Sequence, residues 1–124
     1  MKARIKTIDK LAPMEYSLKL RLKKGCTFFG PGVAQLLILV GETQSLNIAA
    51  QTMEMAYSKA WNIIKVAEEA LGYPLLIRKV GGINGGGSIV TDEGKELVKQ
   101  YMKFQEEAYA LADVIFEKYL RPAR

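Results

Sequence analysis

Residues 45–71 read SLNIAAQTMEMAYSKAWNIIKVAEEAL, and their apolar side chains recur with the spacing of two short helices. In the first helix the stripe falls at i, i+3, i+4 and i+7, on Leu46, Ala49, Ala50 and Met53. Ser45 stands where the N-cap of that helix belongs. In the second helix the predicted buried face consists of Ala56, Ala60, Ile63, Ile64, Ala67 and Leu71. The pattern predicts two amphipathic helices joined by a short turn.

The opposite face of the second helix is polar, with Ser58, Asn62, Lys65 and Glu69 in one row and with Tyr57 and Lys59 beside it. The small pair Ala49 and Ala50 lets a neighbouring helix approach closely. This is the build of a helix-turn-helix, whose second helix lies in the major groove of DNA. The residues that we expect to contact DNA here are Ser45, Tyr57, Ser58, Lys59, Asn62 and Lys65. Trp61 lies between the two faces, and we expect it to be a packing anchor rather than a base-stacking residue.

The composition limits the classes of protein to which this chain can belong. The chain has 124 residues, 49% of them hydrophobic, which is enough for the core of one domain. It has no histidine and a single cysteine, Cys26, so we expect no soft-ligand metal site, no histidine-dependent triad and no internal disulfide. No run of 18 apolar residues and no signal peptide is evident, which favours a cytoplasmic protein without a membrane span.

Acidic pairs such as Glu68–Glu69 are neighbours in sequence, and neighbours in a helix do not share a face. We therefore predict no catalytic residues, no cofactor and no enzyme activity.

Positive charge is concentrated near the N-terminus. The net charge is +5, and residues 1–24 alone carry eight Lys or Arg against two acidic residues. A basic segment of this kind supports binding to a polyanion. Charge alone is equally consistent with a basic protein that has no nucleic-acid partner.

The segments before the helix pair predict one strand and one core helix. Residues 1–16 are expected to form a basic arm, either mobile or an edge strand. In residues 17–24, Leu18, Leu20 and Leu22 alternate with Lys19, Arg21 and Lys23, which indicates a half-buried strand. Gly25 and Gly30 bracket a predicted turn, and Pro31 is a suitable first residue for a helix centred on residues 33–40. Residues 41–43 are expected to end or weaken that helix.

A glycine-rich hairpin follows the helix pair. Residues 75–80 and 88–90 are predicted strands, and residues 81–87 read GGINGGG. A phosphate-binding loop would need a lysine after its last glycine and a helix directly behind it, and both are missing here. A hairpin placed after a recognition helix is a wing, and we expect Arg78, Lys79, Gly85 and Gly86 to contact the DNA backbone. A flexible hairpin tip that touches nothing is the alternative.

The C-terminal segment predicts one long helix that begins after Thr91 and ends near Leu120. Apolar residues recur at spacings of 4, 3, 4, 3 and 4, as in a coiled coil, on Leu97, Tyr101, Phe104, Ala108, Leu111 and Ile115. At 1.5 Å per residue the helix would be roughly 40 Å long, more than a core of this size can cover. We expect a homodimer through this seam. The alternative is a single long core helix in a monomer.

Several of these motifs together resemble a known family. Ala49-Ala50, Tyr57-Ser58-Lys59-Ala60-Trp61, the glycine-rich wing and Val90-Thr91-Asp92-Glu93-Gly94 look like the N-terminal DNA-binding domain of ModE-type molybdate-responsive regulators. They are also similar, less closely, to the winged helix of LysR-type regulators. The resemblance implies a dimeric winged helix-turn-helix. ModE-type sensors bind molybdate in separate C-terminal domains, which we expect this chain to lack, so the resemblance supports no particular effector.

These observations lead to one prediction and one rival. The expected fold is mainly α with a small β-sheet, arranged as a winged helix-turn-helix over residues 17–91, a dimerisation helix over 92–120 and a tail over 121–124. The expected function is that of a dimeric, sequence-specific regulator of transcription that binds double-stranded DNA. The rival is a protein-interaction adaptor on the same fold. DNA binding requires Lys59, Asn62 and Lys65 to be exposed, whereas an adaptor would show apolar exposure there.

Overall fold

A computed structural model describes residues 7–79 and 87–121 of the chain. The elements within these residues are β1 (Leu22–Lys24), β2 (Cys26–Phe29), α1 (Pro31–Thr43), α2 (Leu46–Thr52), α3 (Tyr57–Leu71), β3 (Leu76–Lys79), β4 (Gly87–Val90) and α4 (Asp92–Tyr119). β1 pairs with β2, and β3 pairs with β4, as two separate antiparallel ribbons. The predicted fold class, mainly helical with small β-structure and a long C-terminal helix, is confirmed.

The core lies where α1, α2 and α3 meet. α1 buries Leu36, Leu37 and Val40, because nearly all of its central residues are apolar and it is covered on several sides. The apolar stripes of the next two helices pack against it. They place Leu46, Ala49, Ala50, Ala60, Ile64 and Ala67 in the interior. The predicted buried faces are thus confirmed, with one correction. Ala56 is the N-cap of α3 and is exposed, because it precedes the first turn of that helix.

Local hydrogen bonds fix the turn between α2 and α3. The Ser45 hydroxyl oxygen accepts from the Ile48 N–H at 3.0 Å and caps α2, as the sequence predicts. After α2 the chain turns through Glu54, whose φ of 58° is left-handed, and the Met55 N–H donates to the Ala50 carbonyl at 3.0 Å. The turn is therefore short and closed, which sets the angle at which α3 leaves α2.

The segment before α1 differs in part from its prediction. The alternation of residues 17–24 is present, with the leucines half-buried and the basic residues exposed, but only Leu22–Lys24 pairs as a strand. The predicted turn between Gly25 and Gly30 is wrong, because Cys26–Phe29 forms β2 and its Phe28 and Phe29 enter the core. The turn is confined to Gly25, whose φ of 77° suits a residue without a Cβ.

The extended chain before β1 is held along α4. The Tyr109 hydroxyl donates to the Leu18 carbonyl at 2.7 Å, and the Tyr101 hydroxyl donates to the Leu20 carbonyl at 2.8 Å. Further out, the Tyr16 ring packs on Phe116 with 5.1 Å between ring centroids. The Tyr16 hydroxyl also donates to the Asp113 carboxylate, and this bond raises the pKa of Tyr16 to about 12. The inner end of the predicted arm is thus fixed on α4, whereas residues 1–6 lie outside the described part.

The wing is anchored at its base. The carbonyl of Gln44, the C-cap of α1, accepts from the Ser88 N–H at 3.0 Å, and its side-chain oxygen accepts from the Lys79 ammonium at 2.7 Å. A Cβ on Gly87 would lie 2.5 Å from that carbonyl oxygen, so the close approach requires glycine. The predicted strands of the wing are confirmed, but its tip lies outside the described residues.

The long helix begins at a buried threonine. The Thr91 hydroxyl accepts from the Gly94 N–H at 3.0 Å and donates to the Pro74 carbonyl at 2.8 Å. It therefore caps α4 and ties it to the segment between α3 and β3.

We expect Thr91→Ala to lower the free energy of unfolding by about 1–2 kcal/mol, because the substitution removes the cap and leaves the Pro74 carbonyl without this partner. Chemical denaturation of wild type and variant would measure the difference. Thr91→Ser keeps the hydroxyl and should recover most of the loss. Equal stability of the alanine variant and wild type would contradict the assigned role.

Candidate nucleic-acid interface

The predicted DNA-contacting residues of α3 share its solvent-exposed side. Tyr57, Ser58, Lys59, Asn62 and Lys65 are all exposed. Positions 58, 62 and 65 follow each other at intervals of four and three, so they form one row along the helix. α3 thus presents two hydroxyls, an amide and two ammonium groups to solvent.

The orientation of this row is fixed from behind. Ala60, Ile64 and Ala67 are fully buried, and the small side chains of the two alanines let the α3 backbone lie close to the core. At the far end of the helix the Glu68 carboxylate accepts from the N–H groups of Leu75 and Leu76, at 2.7 and 3.2 Å. Rotation of α3 would break these contacts, so the outward direction of Asn62 is a property of the fold.

Apolar side chains are exposed beside the polar row. Tyr57, Trp61 and Val66 are each more than a third exposed. The Lys65 ammonium lies 4.5 Å from the centre of the Trp61 ring and 3.4 Å from a carboxylate oxygen of Glu68. Trp61 is therefore a surface residue that supports Lys65 by a cation–π contact. α3 therefore exposes both the polar row that DNA binding requires and the apolar surface that a protein-interaction adaptor would use.

The wing base and the start of α2 come together at Gln44. Arg78 and Lys79 are exposed on β3, and the Lys79 ammonium contacts the Gln44 side chain, one residue before Ser45. The Ser45 oxygen is occupied by its capping bond, so any contact with a phosphate would have to use its hydroxyl hydrogen. DNA contact by these three residues stays a prediction, and Gly85 and Gly86 lie outside the described residues.

Two basic residues that sequence reasoning did not place in the site lie next to it. Lys19 and Arg21 line a groove of about 650 Å³ together with Ser58, Lys59 and Asn62 of α3. The alternation of residues 17–24 puts both side chains on the outer face of that segment. Nothing in the sequence indicates that this segment would lie alongside α3.

The predicted dimer seam on α4 divides into two parts. Tyr101 is a correction, because its side chain is 3% exposed, packs edge-to-face on Phe29 at 5.2 Å and bonds Leu20, all within its own chain. Leu97 is half-buried against the same core, and Ala108 is half-buried. Phe104, Leu111 and Ile115 are exposed by half or more. Towards its C-terminus, therefore, one side of α4 is apolar and uncovered.

Neither a metal site nor a membrane-spanning helix is found among the described residues. Within the described ranges no three His, Cys, Asp or Glu side chains are grouped as a metal site would require. No helix in residues 7–79 and 87–121 combines the length and apolar character needed to cross a membrane.

Comparison with known sequences identifies the family. Residues 33–95, from α1 through the wing to the first turn of α4, match the profile of the bacterial regulatory helix-turn-helix proteins of the lysR family. The chain belongs to this family. The match covers half of the chain and includes the whole of α3.

Individual relatives agree with the resemblance read from the sequence, which is thereby confirmed. The chain is 31% identical to the molybdenum transport protein ModE of Azotobacter vinelandii, over 68% of this chain and 31% of that protein. It is also 31% identical to the transcriptional regulator ModE of Haemophilus influenzae, over 77% of this chain and 38% of that protein. The crystal structure of ArgP from Mycobacterium tuberculosis is similar with a TM-score of 0.50 and 26% identity, over 70% of this chain and 31% of that one. The chain thus spans about a third of the length of these relatives.

Proposed function

We propose that the protein binds double-stranded DNA in a sequence-specific manner through α3 and regulates transcription, in the cytoplasm and not as an enzyme. The observation that carries the proposal is the exposed row of Ser58, Asn62 and Lys65, flanked by Lys59, on the second helix of a lysR-family helix-turn-helix. A helix in this position fits the major groove, where hydroxyl and amide groups reach base edges and ammonium groups reach phosphates.

The wing and the start of α2 would bind the backbone on the flank of α3. Lys79 and Ser45 are neighbours through Gln44, so one phosphate strand could contact both. Because these groups touch phosphate and not bases, they would set the register of α3 in the groove without reading sequence.

We also propose that the protein acts as a homodimer through the C-terminal half of α4. The support is the apolar side of that helix on which Phe104, Leu111 and Ile115 are exposed. The opposite side is occupied by Tyr16 and by the extended segment that follows it. A two-fold pair of such helices would place two copies of α3 for two half-sites.

The salt dependence of duplex affinity tests the DNA proposal, and we expect it to be steep. Each phosphate neutralised by Lys or Arg releases counterions, so log affinity should fall with a slope of about 0.9 per contact against log salt concentration. Duplexes selected from a genomic or random library, measured by fluorescence anisotropy at several salt concentrations, provide the assay. Affinity that does not respond to salt would exclude these basic residues as the DNA contacts.

Lys79→Ala should lower affinity by a similar factor on selected and random duplexes and make the salt slope shallower by about one unit. Lys79→Gln keeps a group that can bond Gln44 but removes the charge, so it should behave like the alanine variant. Lys99→Ala removes an exposed charge from α4, away from α3, and should leave the slope unchanged. An unchanged slope in both Lys79 variants would show that Lys79 only anchors the wing.

The adaptor alternative rests on the exposed apolar residues of α3, Tyr57, Trp61 and Val66. An adaptor would use them to bind a protein partner and would show only weak, sequence-independent affinity for duplexes. Selection from a random library separates the two functions, because an adaptor would enrich no motif.

A further inference from the structure

The groove beside α3 has the size and lining of a small-molecule site. Its volume of about 650 Å³ is within the roughly 300–1,000 Å³ of typical ligand sites. One wall is α3, and the opposite wall is formed by the segment around Lys19 and Arg21 and by the start of α1. Its apolar surface includes Phe28, Pro31, Ile63 and Val66, and most of the exposed lining is apolar.

The charged groups of this groove all have one sign. Lys19, Arg21 and Lys59 line it, and none of the described lining residues is Asp or Glu. An ammonium or guanidinium group binds carboxylate through charge-assisted hydrogen bonds, which are stronger than neutral ones. The ligand that complements this lining is an anion with a compact apolar body.

Other occupants fit less well. A sugar–phosphate strand supplies the charge but has no apolar body for the surface formed by Phe28, Ile63 and Val66. The chain's own N-terminal 24 residues carry a strong excess of positive charge, so the cationic groove would repel that segment of a second copy.

We propose that this groove binds a small organic carboxylate with an aromatic or branched apolar body, and that this ligand competes with DNA. The competition follows because Ser58, Lys59 and Asn62 line the groove and also belong to the α3 surface proposed to contact DNA. The second half of the proposal rests on the proposed function, whereas the first half does not. Ligand and DNA would exclude each other sterically and by satisfying the same cations.

The direct test uses three probes and titration calorimetry on the full chain. The probes are 2-naphthoate, its uncharged analogue 2-naphthylmethanol, and inorganic phosphate, which has charge but no apolar body. We expect one saturable site per chain for naphthoate, with the alcohol and phosphate each at least roughly tenfold weaker. If phosphate binds as well as naphthoate, the groove is a backbone contact for DNA and the proposal is wrong. The proposal is also wrong if naphthoate shows no saturable binding.

Matched variants, with substitutions inside and outside the groove lining, test whether naphthoate binds in this groove. Arg21→Glu reverses a charge in the groove and should weaken naphthoate at least roughly tenfold. Lys23→Glu makes the equivalent change two residues along the same outer face, outside the groove lining, and should leave naphthoate affinity unchanged. Val66→Asp changes a side chain that is 47% exposed, so the fold should tolerate it, and it should also abolish binding. Equal binding by all three variants would put the ligand elsewhere and overturn the assignment.

A separate experiment tests whether naphthoate competes with DNA. Naphthoate should raise the apparent dissociation constant of a selected duplex for wild type but not for Arg21→Glu at the same naphthoate concentration. If naphthoate binds the groove and duplex affinity is unaffected, the competition is wrong. If the protein binds no duplex at all, the proposed function fails while the calorimetric result on the groove stands by itself.

Discussion

Leu111→Asp is expected to convert the protein from a dimer to a monomer at micromolar concentration. Leu111 is 66% exposed, so the monomer fold does not depend on it. In a two-fold interface the same residue is contributed by both copies, so the variant would bring two carboxylates into an apolar contact. Burying them without partners should raise the dimer dissociation constant roughly a hundredfold or more. Light scattering or analytical ultracentrifugation would measure the change in mass.

A second aspartate on the same helix provides the control. Ala110 is exposed and lies about 100° round the helix from Leu111. Ala110→Asp should remain dimeric, because it introduces the same charge away from the row of Phe104, Leu111 and Ile115. A monomeric wild type would contradict the dimer proposal. If both variants remain dimeric, the interface must lie on another surface.

Dimerisation should determine the spacing of the DNA half-sites that the protein selects. A dimer that places two copies of α3 on one face of the duplex would select half-sites separated by about one helical turn, roughly 34–36 Å, or a multiple of it. Leu111→Asp should therefore lose the preference for paired half-sites while each copy keeps its contacts with a single one.

The sequence was sufficient where structure is set by local periodicity and capping. The stripes of residues 45–71 predicted α2 and α3, Ser45 and Thr91 predicted the two caps, and all four are present. These features depend on residues within a few positions of each other, so one sequence contains the information they need. The same holds for the wing strands on either side of the glycine-rich segment.

The sequence was insufficient where the answer depends on which distant segment covers a surface. A heptad-like seam identifies an apolar row on α4 but not what packs on each member, and Tyr101 proved to be covered by Phe29 and Leu20. The two glycines around residues 26–29 suggested a turn, although the pairing of β1 with β2 needs only Gly25 there. The groove next to α3 likewise depends on where residues 19–21 lie, which no local pattern specifies.

Asn62 is the residue of α3 that we expect to read a base. It is exposed, lies one turn beyond Ser58, and is held outward by the buried Ala60 and Ile64 on the other side of the helix. An amide can bond the N6 and N7 groups of an adenine edge together, which is worth roughly 1–3 kcal/mol of discrimination, or roughly 5- to 150-fold.

Asn62→Ala should therefore lower the affinity for a selected duplex by that factor and leave random-sequence binding almost unchanged. Lys59→Ala, on the same helix, provides the contrast, because loss of a phosphate contact should weaken selected and random duplexes alike. Competition anisotropy with both duplexes at one salt concentration measures the ratio, and repeating the selection with Asn62→Ala should relax one base position in each half-site. If Asn62→Ala weakens all sequences equally, the amide positions α3 on the backbone, and specificity must come from another side chain or from the shape of the DNA.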